Sequence, residues 1–308
     1  MPSLKKLRQE LIAQFAKTFV RGFSFLSLKN CHRLGAFIGW LTYIIPNRNR
    51  HVTKINVRLC FPEKNKQQQQ ELIKNSLIET GKTAAEISPM WHWEKKKLLG
   101  LIKNVKGEEL LSQAVKNNKG VILAAPHLGN WELLGHYLAD KYPTTCMYQK
   151  PKIHQLDSII KHGRERLGVK LVPADGQGIR AMLKALKNNE LICILPDQEP
   201  SHGDGVYAPF FKIKAYCMIL VSRLAKKTDA TVLIIYSKRL KNGEGYEVVF
   251  APLEDINTET IEESVNYLNK EMEKSICEIP EQYQWSYKRF RTQPLDEKGH
   301  PTEDYYNR

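Results

Sequence analysis

The sequence predicts an α/β protein: a mixed, mostly parallel sheet flanked by helices, preceded by a basic, apolar, helical segment suited to a membrane surface. Two observations carry the prediction. From Gly120 onward, short uncharged apolar runs alternate with amphipathic stretches, the pattern of β-α units whose strands are buried on both faces. The first sixty residues hold eleven Lys or Arg against a single acid, Glu10, interleaved with aromatic and aliphatic residues.

The amino-terminal segment, residues 1–45, comes first in the chain. Its cations alternate with Phe15, Phe19, Phe23, Phe25, Phe37, Trp40 and Tyr43. Cations with interleaved rings suit an anionic membrane surface, where the rings bury at the interface and the charges meet lipid head groups. The longest uncharged run, residues 34–47, is too short to span a bilayer, which needs about 20 apolar residues. An interfacial or obliquely inserted helix is therefore expected, and a cleavable signal peptide is not. The net charge of +14 would also suit nucleic acid, but no motif of a nucleic-acid-binding module is present.

Residues 46–119 read as a helical lead-in. Leu72, Ile73, Leu77, Ile78, Ala84 and Ile87 recur near the helical period and predict a helix over 66–87, with WHWEKKKLLG (Trp91–Gly100) linking onward. Residues 120–308 then form the core. Strands are expected at 121–125, 144–148, 169–172, 191–195, 230–236 and 246–250. Helices are expected at 131–139, 155–167, 179–188 and 215–227, with a closing helix at 261–277. The six cysteines are scattered without a CxxC pair and read as reduced thiols.

Within AAPHLGNWEL (Ala124–Leu133), His127 follows the first core strand and Glu132 stands five positions on. Ligands of open α/β sheets bind beyond the carboxyl ends of the strands. Gly129 permits a turn, and Asn130 suits the N-cap of the next helix. A tight turn would let Glu132 hold one ring nitrogen of His127 and leave the other to accept a proton. That is a base and its orienter with no serine beside them, so the substrate's own hydroxyl would be the nucleophile. Spacing alone leaves open a histidine and a glutamate that serve only the helix cap and dipole. It supplies no third ligand for a metal.

HLGNWE (His127–Glu132) resembles the HX4(D/E) motif of the glycerolipid acyltransferase superfamily, and more closely that of the lipid A biosynthesis (late, or secondary) acyltransferases. Further blocks are similar to that family in the same order: NVRLCFPE (Asn56–Glu63), HGRERLGVKLVPA (His162–Ala174), ILPDQEPSHGDGVYAPFF (Ile194–Phe211) and QYQWSYKRFRTQP (Gln282–Pro294). Together they span about residues 18–294.

The resemblance implies a glycerolipid acyltransferase-like fold on the cytoplasmic face of a bacterial inner membrane. It implies transfer of an acyl chain from acyl carrier protein to a hydroxyl of a lipid A precursor, with no cofactor beyond that donor. His127 is similar to the family's general base and Glu132 to its orienting carboxylate. Arg164 and Arg166 look like basic residues that meet phosphate or the donor, and Asp197 and Gln198 occupy a positioning turn. Asn130 joins these four as an expected substrate contact. Of the two arginines Arg164 is the better candidate. Residues two apart point to different sides of a helix, and Arg164 follows Gly163, where a substrate can approach the backbone.

Departures concern the acceptor more than the reaction. Gln149 stands where the family usually has arginine, with Lys150 offering a point charge. PFFK (Pro209–Lys212) lacks a glycine, and Tyr287 replaces a common histidine. The same chemistry on another membrane acceptor, such as a lysophospholipid, an acylated amino acid or a mannosylated inositol lipid, stays open, as does a non-catalytic membrane-surface protein with this fold. Residues 141–190, with ten Lys or Arg against four acids, offer a basic surface for an acidic carrier or a phosphorylated glycolipid.

Overall fold

A computed structural model describes residues 21–201, 203–253 and 256–307, together with Glu10, Gln14 and Thr18. Lys5, Lys6, Arg8, Phe15, Lys17 and Phe19 of the amino-terminal segment therefore lie outside the described residues.

Three helices lead in: α1 (Leu28–Ile44), α2 (Arg48–Cys60) and α3 (Lys66–His92). Ser27, Asn47 and Asn65 cap them by accepting from Asn30, Arg50 and Gln68 backbone N–H groups. One face of α1 packs on α3 at Gly35 and Gly39. A Cβ at Gly35 would lie 2.6 Å from the Gly81 carbonyl oxygen, so the two backbones touch directly. The other face leaves Phe37, Ile38, Trp40 and Ile44 exposed beside exposed Lys29 and Arg33, with Phe25 and Ile45 exposed just beyond its two ends. Among the described residues no helix is long and apolar enough to cross a membrane.

The short α4 (Lys95–Leu99) leads to a seven-stranded sheet made of β1 (Ile102–Lys106), β2 (Val121–Ala124), β3 (Thr144–Tyr148), β4 (Lys170–Pro173), β5 (Leu191–Ile194), β8 (Thr231–Arg239) and β9 (Tyr246–Pro252). Its order is β1-β9-β8-β2-β5-β3-β4. Only the β8–β9 pair is antiparallel. Successive residues of the central strands join opposite cores: Ile122 and Ala124 face one cluster, Val121 and Leu123 the other. That double burial is why these strands read as unbroken apolar runs. The first cluster is completed by α2, α3, α8 (Gly176–Lys187), α9 (Leu220–Thr228) and α10 (Ile261–Glu278). The second takes α5 (Glu108–Lys116) and α6 (Trp131–Lys141). Between β3 and β4 runs α7 (His154–Glu165).

Two expectations need correction. The sheet begins at Ile102 and not after Gly120: β1 is a polar edge strand with no apolar alternation to announce it. The helix expected at 215–227 begins as strand. Residues 205–210 (β6) and 213–218 (β7) form an antiparallel hairpin, and α9 starts only at Leu220. The run AYCMILV (215–221) carries no charge, and its period cannot separate buried strand from buried helix.

Candidate active site

The parallel pairing of β2 with β5 builds the site. Both chains leave the carboxyl edge of the sheet there, carrying His127 and Asp197. His127 Nδ1 lies 2.8 Å from Asp197 Oδ1, and the His127 backbone N–H donates to Asp197 Oδ2 at 2.9 Å. Asp197 is 1% exposed. Burial alone would raise its pKa, but the charge and hydrogen bonds of His127, with a bond from Tyr283, hold it below the usual carboxylate range. An ionised Asp197 requires the proton on Nδ1, which leaves the Nε2 lone pair for another partner. Gln198 Nε2 sits 3.3 Å from it and also donates to Gln284 Oε1 at 3.0 Å. The Trp131 ring meets the imidazole edge-on, with centroids 5.0 Å apart.

Backbone groups of the turn are anchored on other elements. Gln284 N–H donates to the His127 carbonyl, Gly129 N–H to Gln282 and Asn130 N–H to Ser237. Gly129 adopts φ +64, and a Cβ there would lie 1.8 Å from the Ser237 carbonyl oxygen, so no other residue fits.

The expected contact of Glu132 with His127 is replaced. In the first turn of α6, the Glu132 carboxylate accepts both Nε (2.9 Å) and Nη2 of Arg164 and, at 2.9 Å, Nε1 of Trp91. Burial opposes its charge, yet the guanidinium beside it lowers its pKa. A bidentate arginine is the stronger partner, and Asp197 already holds the histidine. Glu132 and Arg164 both face the same cavity as His127.

Asn130 is likewise not free to meet a substrate. It is 1% exposed. Its Oδ1 caps α6 through Leu133 N–H, and its Nδ2 donates to Glu86 and the Tyr246 hydroxyl. Arg166 turns away from the cavity. Its Nη2 donates to the Met90 and Trp93 carbonyls at the end of α3, where a helix leaves acceptors unpaired. Gly163 gives its close approach to the Trp91 ring and not to a substrate: a Cβ there would fall 2.4 Å from the ring.

Sequence reading gave no place to Glu86. Buried on α3, it receives Arg239 through two 2.5 Å bonds, Tyr246 at 2.7 Å and Asn130 at 3.1 Å, and His32 of α1 lies 2.5 Å away. Against the cost of burial, these partners lower its pKa to about 2. The network ties α1 and α3 to the cap of α6. Glu86 falls within a predicted helix, where a lone acid reads as a solvated position.

His127, Glu132, Arg164 and Gln198 open onto a cavity of about 730 Å³, within the range of small-molecule sites. Met147, Val169, Leu171, Ile179, Ile194 and Leu195 supply apolar wall. Gln149 and Lys152 line it and Lys150 does not. Tyr287 also lines it, its hydroxyl accepting from Glu199 N–H at 3.0 Å. An imidazole and a fixed guanidinium on a cavity with apolar walls suit a hydrocarbon chain ending in a polar group.

Residues 2–292 match the bacterial lipid A biosynthesis acyltransferase family. The chain belongs to that family. Among similar members, the lipid A biosynthesis lauroyltransferase of Escherichia coli is 25% identical over 265 residues, covering 85% of this chain and 86% of its own. The lipid A biosynthesis palmitoleoyltransferase of Escherichia coli is 26% identical over 271 residues, 86% of each chain. A phosphatidylinositol mannoside acyltransferase of Mycobacterium tuberculosis is 27% identical over 146 residues, 46% of each. As a lipid A biosynthesis acyltransferase family member, this protein has an acyl-transfer site to account for, and the cavity is the place where its polar residues gather.

Proposed function

We propose that this protein transfers a fatty acyl chain from acyl carrier protein to a hydroxyl of a lipid A precursor, working at the cytoplasmic face of a bacterial inner membrane. One observation carries the chemistry: His127 has Nδ1 committed to an ionised, buried Asp197, so Nε2 is its basic atom on the cavity side. The acceptor hydroxyl replaces Gln198 as donor to Nε2. As its oxygen attacks the thioester carbonyl, the proton passes to Nε2, and Asp197 stabilises the imidazolium. The carbon–sulfur bond then breaks, and the imidazolium returns the proton to the departing thiolate. Ester and free thiol leave, with the base restored. Glu132 serves this by fixing Arg164 beside the cavity, where the guanidinium can meet phosphate or the donor's polar arm.

The lipid A acyltransferases among its relatives support the lipid A acceptor, and the exposed aromatic residues of α1 with its cations support approach to an anionic bilayer. The test is purified protein with dodecanoyl-acyl carrier protein and a lipid A precursor bearing free 3-hydroxyacyl chains, with products weighed by mass spectrometry. A product heavier by one acyl group, lost in His127→Ala, is expected. No product from wild type with either carrier-linked or coenzyme A-linked donor would overturn the proposal.

A further inference from the structure

A second histidine lines the same cavity. His136 lies one helical turn beyond Glu132 on α6, on the same helix face. It is 1% exposed, and neither ring nitrogen has a hydrogen-bond partner among the described residues. The Met90 carbonyl approaches the ring but is already bonded by Arg166 and makes no bond of acceptable geometry with it. Burial and the charges of Arg166 and Arg164 keep the imidazole neutral, at a pKa of about 4, against the opposing charge of Glu132. The neighbouring wall is apolar: a Cβ at Gly135 would meet Val169 Cγ2 at 3.3 Å and Cys146 Sγ at 4.0 Å.

Buried polar groups in folded proteins are almost always paired, and one left unpaired on a ligand cavity asks for its partner from the ligand. A neutral imidazole can donate and accept, which matches a hydroxyl and not an ion. An unsubstituted hydrocarbon would cover both nitrogens without satisfying either. We infer that His136 is a binding subsite for an oxygen substituent on the acyl chain, so that the preferred donor is a hydroxylated fatty acyl group. The inference rests on the acyl-transfer function proposed above for the identity of the chain in the cavity.

Two measurements test it separately from that function. In the first, binding of free dodecanoic and 3-hydroxydodecanoic acids, and of the 2-hydroxy isomer, is followed by calorimetry. Wild type should bind at least one hydroxy acid about tenfold more tightly than the plain acid, the worth of one buried hydrogen bond. His136→Leu should abolish that ratio, and His136→Gln, which can still donate and accept, should keep much of it. In the second, the ratio of kcat/KM for hydroxylated and plain carrier-linked donors should shift in parallel. Equal binding of all acids by wild type, or a preference unchanged in His136→Leu, overturns the subsite. A His136-dependent binding preference without acyl transfer to any acceptor would uphold the subsite and reject the acyl-transfer proposal.

Discussion

His127 and Asp197 each stand three residues beyond Ala124 and Ile194, which are register partners on adjacent parallel strands. Equal offsets from a shared register bring imidazole and carboxylate side by side at the sheet edge, and so Asp197, not Glu132, holds Nδ1. Replacing Asp197 with Asn should leave the fold intact but favour the wrong tautomer, lowering kcat by ~10²-fold or more. His127→Ala should remove transfer. Steady-state kinetics of both beside Glu132→Gln decide the assignment. Normal turnover in Asp197→Asn with a severe loss in Glu132→Gln would return the orienting role to Glu132.

The two arginines should separate. Arg164→Lys loses the fork on Glu132, and activity should fall ~10-fold or more with the donor and acceptor varied in turn. Arg166→Lys should leave the kinetics near wild type and cost about 1 kcal/mol of stability in urea, through its bonds to the α3 carbonyls. Equal kinetics for both variants would make the whole block scaffold.

Acid should weaken the fold through Glu86. Its folded pKa is depressed to about 2 from 4.5. The stabilisation is therefore fully present above pH 4.5 and is lost as pH falls toward 2, amounting to about 3 kcal/mol. Urea unfolding between pH 6 and 2 should show this slope in wild type and a flatter one in Glu86→Gln. That variant should also be less stable at pH 7 by ~3 kcal/mol, since buried Arg239 loses its two bonds to Glu86 and keeps only Glu79 as a carboxylate partner.

Membrane binding should be separable from folding. Deleting residues 1–45 would strip α3 of a packed neighbour, so substitutions on the outer face of α1 are the cleaner test. Phe37→Ser with Trp40→Ser should lower partitioning onto anionic vesicles ~10-fold or more while the melting temperature holds, because each ring is worth about 1.5–3 kcal/mol on burial. Salt should weaken binding of wild type. Full sedimentation of the double variant with vesicles would place the anchor elsewhere.

The missing glycine of PFFK has a measurable cost. Phe211 and Lys212 take φ +48 and +64 in the tight turn joining β6 and β7, a conformation that favours glycine. Lys212→Gly should raise stability by about 1 kcal/mol in urea titration. A loss of stability would mean that the lysine side chain contributes more than the strain removes.

The central sheet was legible because β2, β5 and β8 are buried on both faces and so appear as uncharged runs. Its edges were not. IKNVK carries two lysines and an asparagine, and β6 contains Pro209, so neither announces a strand. At the site, His127 was legible from its place after a strand and before a capped helix. Its partner was sought within five residues, although local spacing does not report the order of strands in a sheet. Knowing that β2 lies beside β5 would have pointed to Asp197 from the equal offsets. His136 and Glu86 sit inside helical periods, where an ionisable residue reads as one more polar position.

The loop carrying His127 takes its last three anchors from residues 282–284, which close over it from the far side of α10 in sequence. Protein synthesis is vectorial, and domains fold from the amino end as the chain emerges. Strands β2, β5 and β8 can therefore assemble with Asp197 already holding His127, while the far side of the turn and the Tyr287 wall of the cavity are still to come. Gln282, Tyr283 and Gln284 then close the far side of the turn, and Gln284 holds the Gln198 amide that faces Nε2. A chain cut short after β9 would lack these anchors together with the α10 side of the core and the Tyr287 wall of the cavity, so the site is finished only by the last stretch of chain to be made.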